Sequence, residues 1–291
     1  MSFRARFLHA AMTLARVAPA PFARALGYLG AAAAYATLRQ RRAILFDNLR
    51  YTAPNASAAE RRRLARDTFR HIAQCQIDLY RLPGSSPNDI RRIVDVQGFE
   101  HLEAARRVGR GTIIVTGHVG NYELGGAWLA TYGDPVHAMV EDLDAPMLKL
   151  LEQYRTATGM RTISRNRGAR DAYRVLKSGD YLLLVADRVI GGDPSDGVEL
   201  PFCEGSRVVP RGPAQLSLAT GAPIVVGVAV RTPKGPRRYR IILEPPIMPD
   251  GTEPDAVLSL TRRVTDRLAA AVRNYPDQWF VFQPAWRSVD Q

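Results

Sequence analysis

Apolar positions change their period near residue 92: before it they recur at helical spacing, and after it short β-branched runs alternate with helical stretches. The stretch from Phe7 to Leu38 is rich in Ala and Leu, and Pro19 and Pro21 predict its division into two short helices carrying Arg16 and Arg24. The least interrupted apolar run, Ala25 to Leu38, has about 14 residues against the roughly 20 that a bilayer core requires of a helix. It reads as an amphipathic hairpin lying on a membrane rather than crossing it, with a buried Ala-rich helix as the competing reading. A second helical region is expected from Arg41 to Leu82, with Ser57 and Glu60 forming a capping box and Leu64, Phe69, Ile72 and Ile77 marking its apolar face. Ile93, Val94 and Val96 then predict a short strand, and Phe99 to Val108 a helix ending near Gly109.

The strongest of the strand-like runs are Thr112–Thr116, Tyr181–Val185 and Ile224–Val230, each apolar enough to be buried on both faces. Between them lie helical patterns at Tyr122–Tyr132, Met147–Thr158, Ala169–Lys177 and Pro213–Thr220. An edge hairpin strand at Arg238–Glu244 and a long helix from Asp255 to Arg273 follow. That order predicts an α/β fold, a mixed central sheet flanked by helices. At 291 residues the chain is expected to form a helical N-terminal, membrane-associating region (1–90) and an α/β core (91–291).

Charge sharpens this division. The formal net charge is +12, and residues 1–110 hold 19 Arg against 8 acids, a local +11. Such a region attracts anionic phospholipid, headgroup phosphates or nucleic acid. The Arg61-Arg62-Arg63 run lacks the interleaved aromatics of a single-strand binder and no nucleic-acid motif is present, so no nucleic-acid partner is expected. Cys75 and Cys203 belong to no CxxC or Cys/His spacing, which argues for a reduced compartment and against zinc; no metal is expected.

Candidate chemistry lies after the first strong run, where Gly117-His118-Val119-Gly120-Asn121-Tyr122-Glu123 reads as a glycine-bounded turn entering a helix. His118 and Glu123 would point about 140° apart on one continuous helix, so they meet only across a bend. Gly117 and Gly120 permit that bend, and Asn121 is placed to cap the helix that carries Glu123. A carboxylate on one ring nitrogen would leave the other as a general base. A base and carboxylate without a protein nucleophile suggest that the substrate supplies the attacking hydroxyl. A structural turn histidine with an ordinary first-turn acid is the bland alternative.

The GHVGNYE segment strongly resembles the Hxxxx[DE] motif of the bacterial lipid A biosynthesis acyltransferases, a resemblance shared with the phosphatidylinositol mannoside acyltransferases. Further matches run in the family's order: Asp95-Val-Gln-Gly-Phe-Glu-His-Leu, Tyr181 to Arg188, Gly197-Val-Glu-Leu-Pro-Phe202, Pro210-Arg-Gly-Pro213 and Tyr275-Pro-Asp-Gln-Trp279. The resemblance implies a glycerolipid-acyltransferase-like fold. It also implies transfer of a fatty acyl chain from acyl-ACP or acyl-CoA, with no bound cofactor, to a membrane glycolipid hydroxyl. The expected location is the cytoplasmic face of the bacterial inner membrane, on an anionic surface. By it His118 is the general base and Glu123 its partner or an orienter of the acceptor.

Arg155 falls where the family tends to place a basic residue, to hold a phosphate or oxyanion, and Glu199 where the mannoside enzymes have a carboxylate near the histidine. Asp187 and Arg188 end a buried strand, where charges are costly unless paired or functional, and are expected to border the pocket. Arg211 precedes a helix start suited to an anionic headgroup, and Arg165, Arg167 and Arg170 form a basic loop suited to that or to coenzyme A phosphates. Asn121 is a further oxyanion or headgroup candidate. Solvated surface charge is the competing reading of Arg155, Glu199 and the loop. The sequence departs from the family in its weak N-terminal anchor, in Phe202-Cys203-Glu204-Gly205 for paired phenylalanines, and in Phe282-Gln-Pro-Ala-Trp-Arg287 near the end. A phosphatidylinositol mannoside or lysophospholipid acceptor, and a non-catalytic basic protein of the membrane surface, remain as alternatives.

Overall fold

The computed structural model describes residues 13–140, 152–164, 168–189, 197–232, 237–252 and 254–286. Residues 13–17 are helical, and α1 (Ala20–Thr37) starts after Pro19. Pro21 sits in its first turn, where a missing N–H costs no hydrogen bond, so Pro19 marks the break and Pro21 does not. The expected second helical region is two helices, α2 (Arg39–Thr52) and α3 (Ala58–Arg81). The capping box starts α3: Ser57 Oγ accepts from Glu60 N at 3.2 Å and Glu60 accepts from Ser57 N at 2.7 Å.

α1 lies along α3 at a small-residue contact, since a Cβ on Gly27 would come within 2.2 Å of Ile77 Cδ1. Arg81 crosses from α3 to donate to the carbonyls of Ala15 (2.6 Å) and Ala18 (2.8 Å), satisfying a helix end. Asn48 of α2 donates to Val281 O at 3.0 Å, tying the N-terminal helices to the C-terminal segment. Only Ala23 and Ala31 of α1 are buried, and Phe22, Leu26 and Leu29 are exposed. Among the described residues no helix is long and apolar enough to cross a membrane.

A short helix, α4 (Pro87–Arg92), leads into β1 (Val94–Gln97), α5 (Phe99–Arg107) and β2 (Thr112–Thr116). Then come α6 (Tyr122–Ala130), β3 (Val136–Val140), a helical stretch at 152–157, and β4 (Met160–Ser164). The rest is α7 (Gly168–Lys177), β5 (Tyr181–Val185), β6 (Gly197–Phe202), β7 (Gly205–Pro210), α8 (Gly212–Thr220), β8 (Ile224–Arg231), β9 (Tyr239–Leu243) and α9 (Ala256–Asn274). The part of the expected Met147–Thr158 helix before residue 152 lies outside the described residues.

Seven strands form one sheet in the order β1-β9-β8-β2-β5-β3-β4, and β6 and β7 make a separate antiparallel hairpin. The five strands from β8 to β4 are parallel, and β9 returns antiparallel to β8. A mixed α/β fold with a mostly parallel central sheet between helices is therefore the architecture. One expectation is corrected: β9 is no edge strand, because β1 pairs with it in parallel from Val94↔Tyr239 to Gln97↔Ile242. All five residues of β2 are buried, as are seven of the eight in β8, matching the continuous apolar runs of strands covered on both faces.

Candidate active site

Two neighbouring strands deliver the central pair of residues. Thr116 ends β2 opposite Val185, which ends β5. His118 and Asp187 each stand two residues further on, so the register alone sends them out together at the carboxyl ends of parallel strands. Open α/β sheets bind ligands at that edge. Gly117 allows the close approach, since a Cβ there would sit 3.2 Å from Asp187 Cβ. Gly120 turns the chain with φ of 65°, and a Cβ there would strike Ala229 O at 2.1 Å.

Asp187 is fully buried, and its carboxylate accepts three hydrogen bonds. Oδ1 receives His118 Nδ1 at 2.7 Å, and Oδ2 receives the His118 backbone N at 3.0 Å and Trp279 Nε1 at 2.8 Å. Burial works to raise the Asp187 pKa, but the His118 ring, the Arg207 charge and the Trp279 donor outweigh it and hold the carboxyl well below its usual range. An ionised Asp187 keeps the imidazole proton on Nδ1 and leaves Nε2 as an acceptor. His118 is 23% exposed, so that nitrogen is within reach of a ligand.

The carboxylate on the imidazole is thus Asp187 and not Glu123. Asn121 caps α6 as expected, its Oδ1 accepting from Leu124 N at 3.1 Å, and the helix turns Glu123 toward Arg155. Arg155 binds Glu123 with two parallel bonds, Nε to Oε2 at 3.0 Å and Nη2 to Oε1 at 2.5 Å, and both side chains are buried. Burial opposes the Arg155 charge, and Glu123 more than offsets this, leaving the arginine pKa above its ordinary value. The Asn121 amide nitrogen faces Cys75 O (3.4 Å) and Tyr239 Oη (3.5 Å), so its side chain also ties the turn to α3 and β9.

His118, Asn121, Tyr122 and Glu123 line a cleft of about 110 Å³, completed by Ile72, Cys75, Gln76 and Leu79 of α3 and by Phe280. The Tyr122 ring stands edge-on to the imidazole, with centroids 5.7 Å apart. Ile72 and Gln76 also line a second, larger space, an apolar groove of about 620 Å³ between α1 and α3. Gly27, Gly30, Ala31 and Ala34 supply one wall of it and Phe69, Ala73 and Ile77 the other. The sequence pattern marked Ile72 and Ile77 as an apolar face without indicating that the face is open.

Other expected residues are dispersed. Arg188 is half-buried next to Asp187, near enough for its charge to act on Tyr122. Glu199 lies on β6 and accepts from Ser206 Oγ at 2.6 Å; it does not line the His118 cleft. Arg211, at the start of α8, is exposed and also outside the cleft lining. Arg165 and Arg167 lie outside the described residues, and Arg170 is exposed on α7. Among the described residues no group of three or more His, Cys, Asp or Glu side chains is gathered to hold a metal.

Comparison with known proteins agrees with the motif matches. The family model described as bacterial lipid A biosynthesis acyltransferase matches residues 3–288. A phosphatidylinositol mannoside acyltransferase of Mycolicibacterium smegmatis is 27% identical over 271 residues, covering 91% of this chain and 86% of the relative. One of Mycobacterium tuberculosis is 27% identical over 216 residues, covering 72% and 66%.

Proposed function

Because the chain belongs to the bacterial lipid A biosynthesis acyltransferase family and is an acyltransferase, we propose that it moves a fatty acyl chain from a thioester directly to a hydroxyl of a membrane glycolipid, with His118 as the base. The donor in this reading is acyl carrier protein or coenzyme A loaded with the chain. Nε2 of His118 takes the proton of the acceptor hydroxyl as its oxygen attacks the thioester carbonyl carbon. The tetrahedral intermediate collapses, the carbon–sulfur bond breaks, and the proton passes from Nε2 to the departing thiolate. An ester and a free thiol result.

The observation that carries this reading is that Ile72 and Gln76 line both the His118 cleft and the apolar groove, so that the two lie side by side along α3. A base beside an apolar groove suits the reactive end of a hydrocarbon chain, and the groove volume is that of a small-molecule site. Direct transfer is favoured by the state of Cys75, the thiol in the cleft: burial pushes it up to about 12, so it supplies no thiolate to carry the acyl group. Arg155, held by Glu123 of the cleft and with its buried Nη1 free of a protein partner, is a candidate cation for a phosphate or oxyanion.

Work at the cytoplasmic face of the inner membrane, on an anionic surface, is part of the proposal. The sequence of residues 1–46 contains seven arginines and no acid, and α1 exposes Phe22, Leu26 and Leu29. The relatives' names favour a mannosylated phosphatidylinositol as acceptor within this reading.

Purified protein incubated with acyl-CoA and a glycolipid acceptor tests the reaction. Wild type should form the acyl ester with no acyl-enzyme visible by intact mass, and His118→Ala, still folded by circular dichroism, should form none. Near-normal transfer by H118A would sink the mechanism.

A further inference from the structure

Asp187 can orient His118 only if something independent of His118 fixes Asp187. Two of its three donors belong to His118 itself, the ring nitrogen and the backbone N. The third is the Trp279 indole N–H. We infer that Trp279 is a positioning residue of the transfer reaction, holding Asp187 in place while the imidazole gains and loses its proton. This rests on His118 being the base.

The indole is suited to that task because it is itself immobilised. Trp279 is 1% exposed, and its ring stacks on Phe202 with centroids 5.8 Å apart and planes at 28°. The Arg207 guanidinium lies 5.0 Å above the Trp279 ring and 5.2 Å above that of Phe202. A cation over the ring draws electron density toward it, which makes the N–H a better donor. Arg207 is itself buried, and its charge helps to keep Asp187 ionised.

The same segment grips the catalytic turn by its backbone. Gly120 N donates to Gln278 O at 2.8 Å, Phe280 N donates to His118 O at 2.8 Å, and Val119 bridges Trp279 in antiparallel fashion. Gln278 then locks the segment to the end of β8, accepting from Arg231 N at 2.7 Å and donating to Arg231 O at 3.0 Å. Residues 278–280 thus hold the main chain of His118 and the side chain of Asp187 from one rigid piece. The geometry gives the Gln278-Trp279 pair a task beyond filling the core.

Trp279→Phe removes the N–H and keeps a ring on Phe202. Trp286→Phe is its control, removing an indole N–H that has no protein partner from the same aromatic cluster. W279F should lose about ten- to a hundredfold in kcat, the worth of one hydrogen bond to a charged acceptor. Its KM should change less than about twofold, and W286F should keep the wild-type kcat. In ¹⁵N-histidine spectra, His118 should be a single Nδ1–H tautomer in wild type and a mixture in W279F. Wild-type kcat in W279F, or a lost kcat with the tautomer unchanged, would overturn the assignment.

Should W279F fail to fold, the wild type suffices: the Trp279 indole proton should shift with pH at the midpoint of the kcat profile, and the Trp286 proton should not. No such shift would overturn the inference. An active H118A would instead remove the base on which it rests, so the two failures are distinguishable.

Discussion

His118 and Asp187 face each other because each stands two residues beyond Thr116 and Val185, a register pair of adjacent parallel strands. The hydrogen bond between them, 2.7 Å from Nδ1 to Oδ1, is therefore set by the sheet and not by a loop. That rigidity has consequences for stability as well as for catalysis.

Asp187 should link folding to acid. Its folded pKa lies well below the ordinary carboxylate value, the net result of burial opposed by His118, Arg207 and Trp279. A depressed folded pKa contributes stability that is present in full above the unfolded pKa of about 3.9 and is lost as pH falls toward the folded value. The stability difference between wild type and Asp187→Asn in urea unfolding should therefore shrink progressively as pH falls from about 4 toward the folded value. A difference independent of pH from neutrality into that acid range would contradict the linkage.

The Glu123–Arg155 pair is buried and doubly bonded, so breaking it leaves an uncompensated charge. Either Glu123→Gln or Arg155→Met should cost about 3–5 kcal/mol in denaturant unfolding, and the double variant should recover much of that. Additive single effects would mean that the two side chains do not sense each other.

Gly30 and Gly27 line the same groove but differ in room: a Cβ on Gly30 meets nothing within 4 Å, whereas one on Gly27 would strike Ile77. Gly30→Leu should fold at least as well as wild type, since leaving glycine in a helix gains about 1 kcal/mol. It should also shift donor preference toward shorter acyl chains. Competition between short- and long-chain thioesters measures this, and an unchanged chain-length profile would show that the groove does not hold the chain. Gly27→Leu should instead lower Tm.

Phe22 and Leu29 are exposed on α1, Leu29 at 68%, and removing them from water is the apolar part of the proposed membrane contact. The double variant Phe22→Glu with Leu29→Glu should sediment with vesicles containing anionic phospholipid about tenfold less than wild type, by loss of buried apolar area. Equal sedimentation would place the contact elsewhere.

Much of the sheet was legible because β2, β5 and β8 are continuous, largely apolar runs bounded by turns. β3 (Val-His-Ala-Met-Val) and β4 (Met-Arg-Thr-Ile-Ser) are short and mix polar with apolar positions, so their local pattern gives no strand signal. β9 reads as an edge from its neighbours in sequence, but β1 covers it from far earlier in the chain, a pairing no local window contains. The same limit governs the site. Glycines mark the turn at His118, yet its partner follows from the β2–β5 register, while the attractive spacing to Glu123 is undone by a helix that aims that carboxylate at Arg155. Trp279 stood out as part of a motif, and only the folded chain shows what its N–H meets.

The central claim, that His118 is a base oriented by Asp187, is tested most directly by comparing kcat for Asp187→Asn and Glu123→Gln in folded protein with saturating thioester and glycolipid. Asp187→Asn should lose about 10⁴-fold, the scale seen when an orienting carboxylate of a histidine base becomes an amide. Glu123→Gln should lose distinctly less. Near-normal kcat in D187N with E123Q inactive would contradict the account and return the partner role to Glu123.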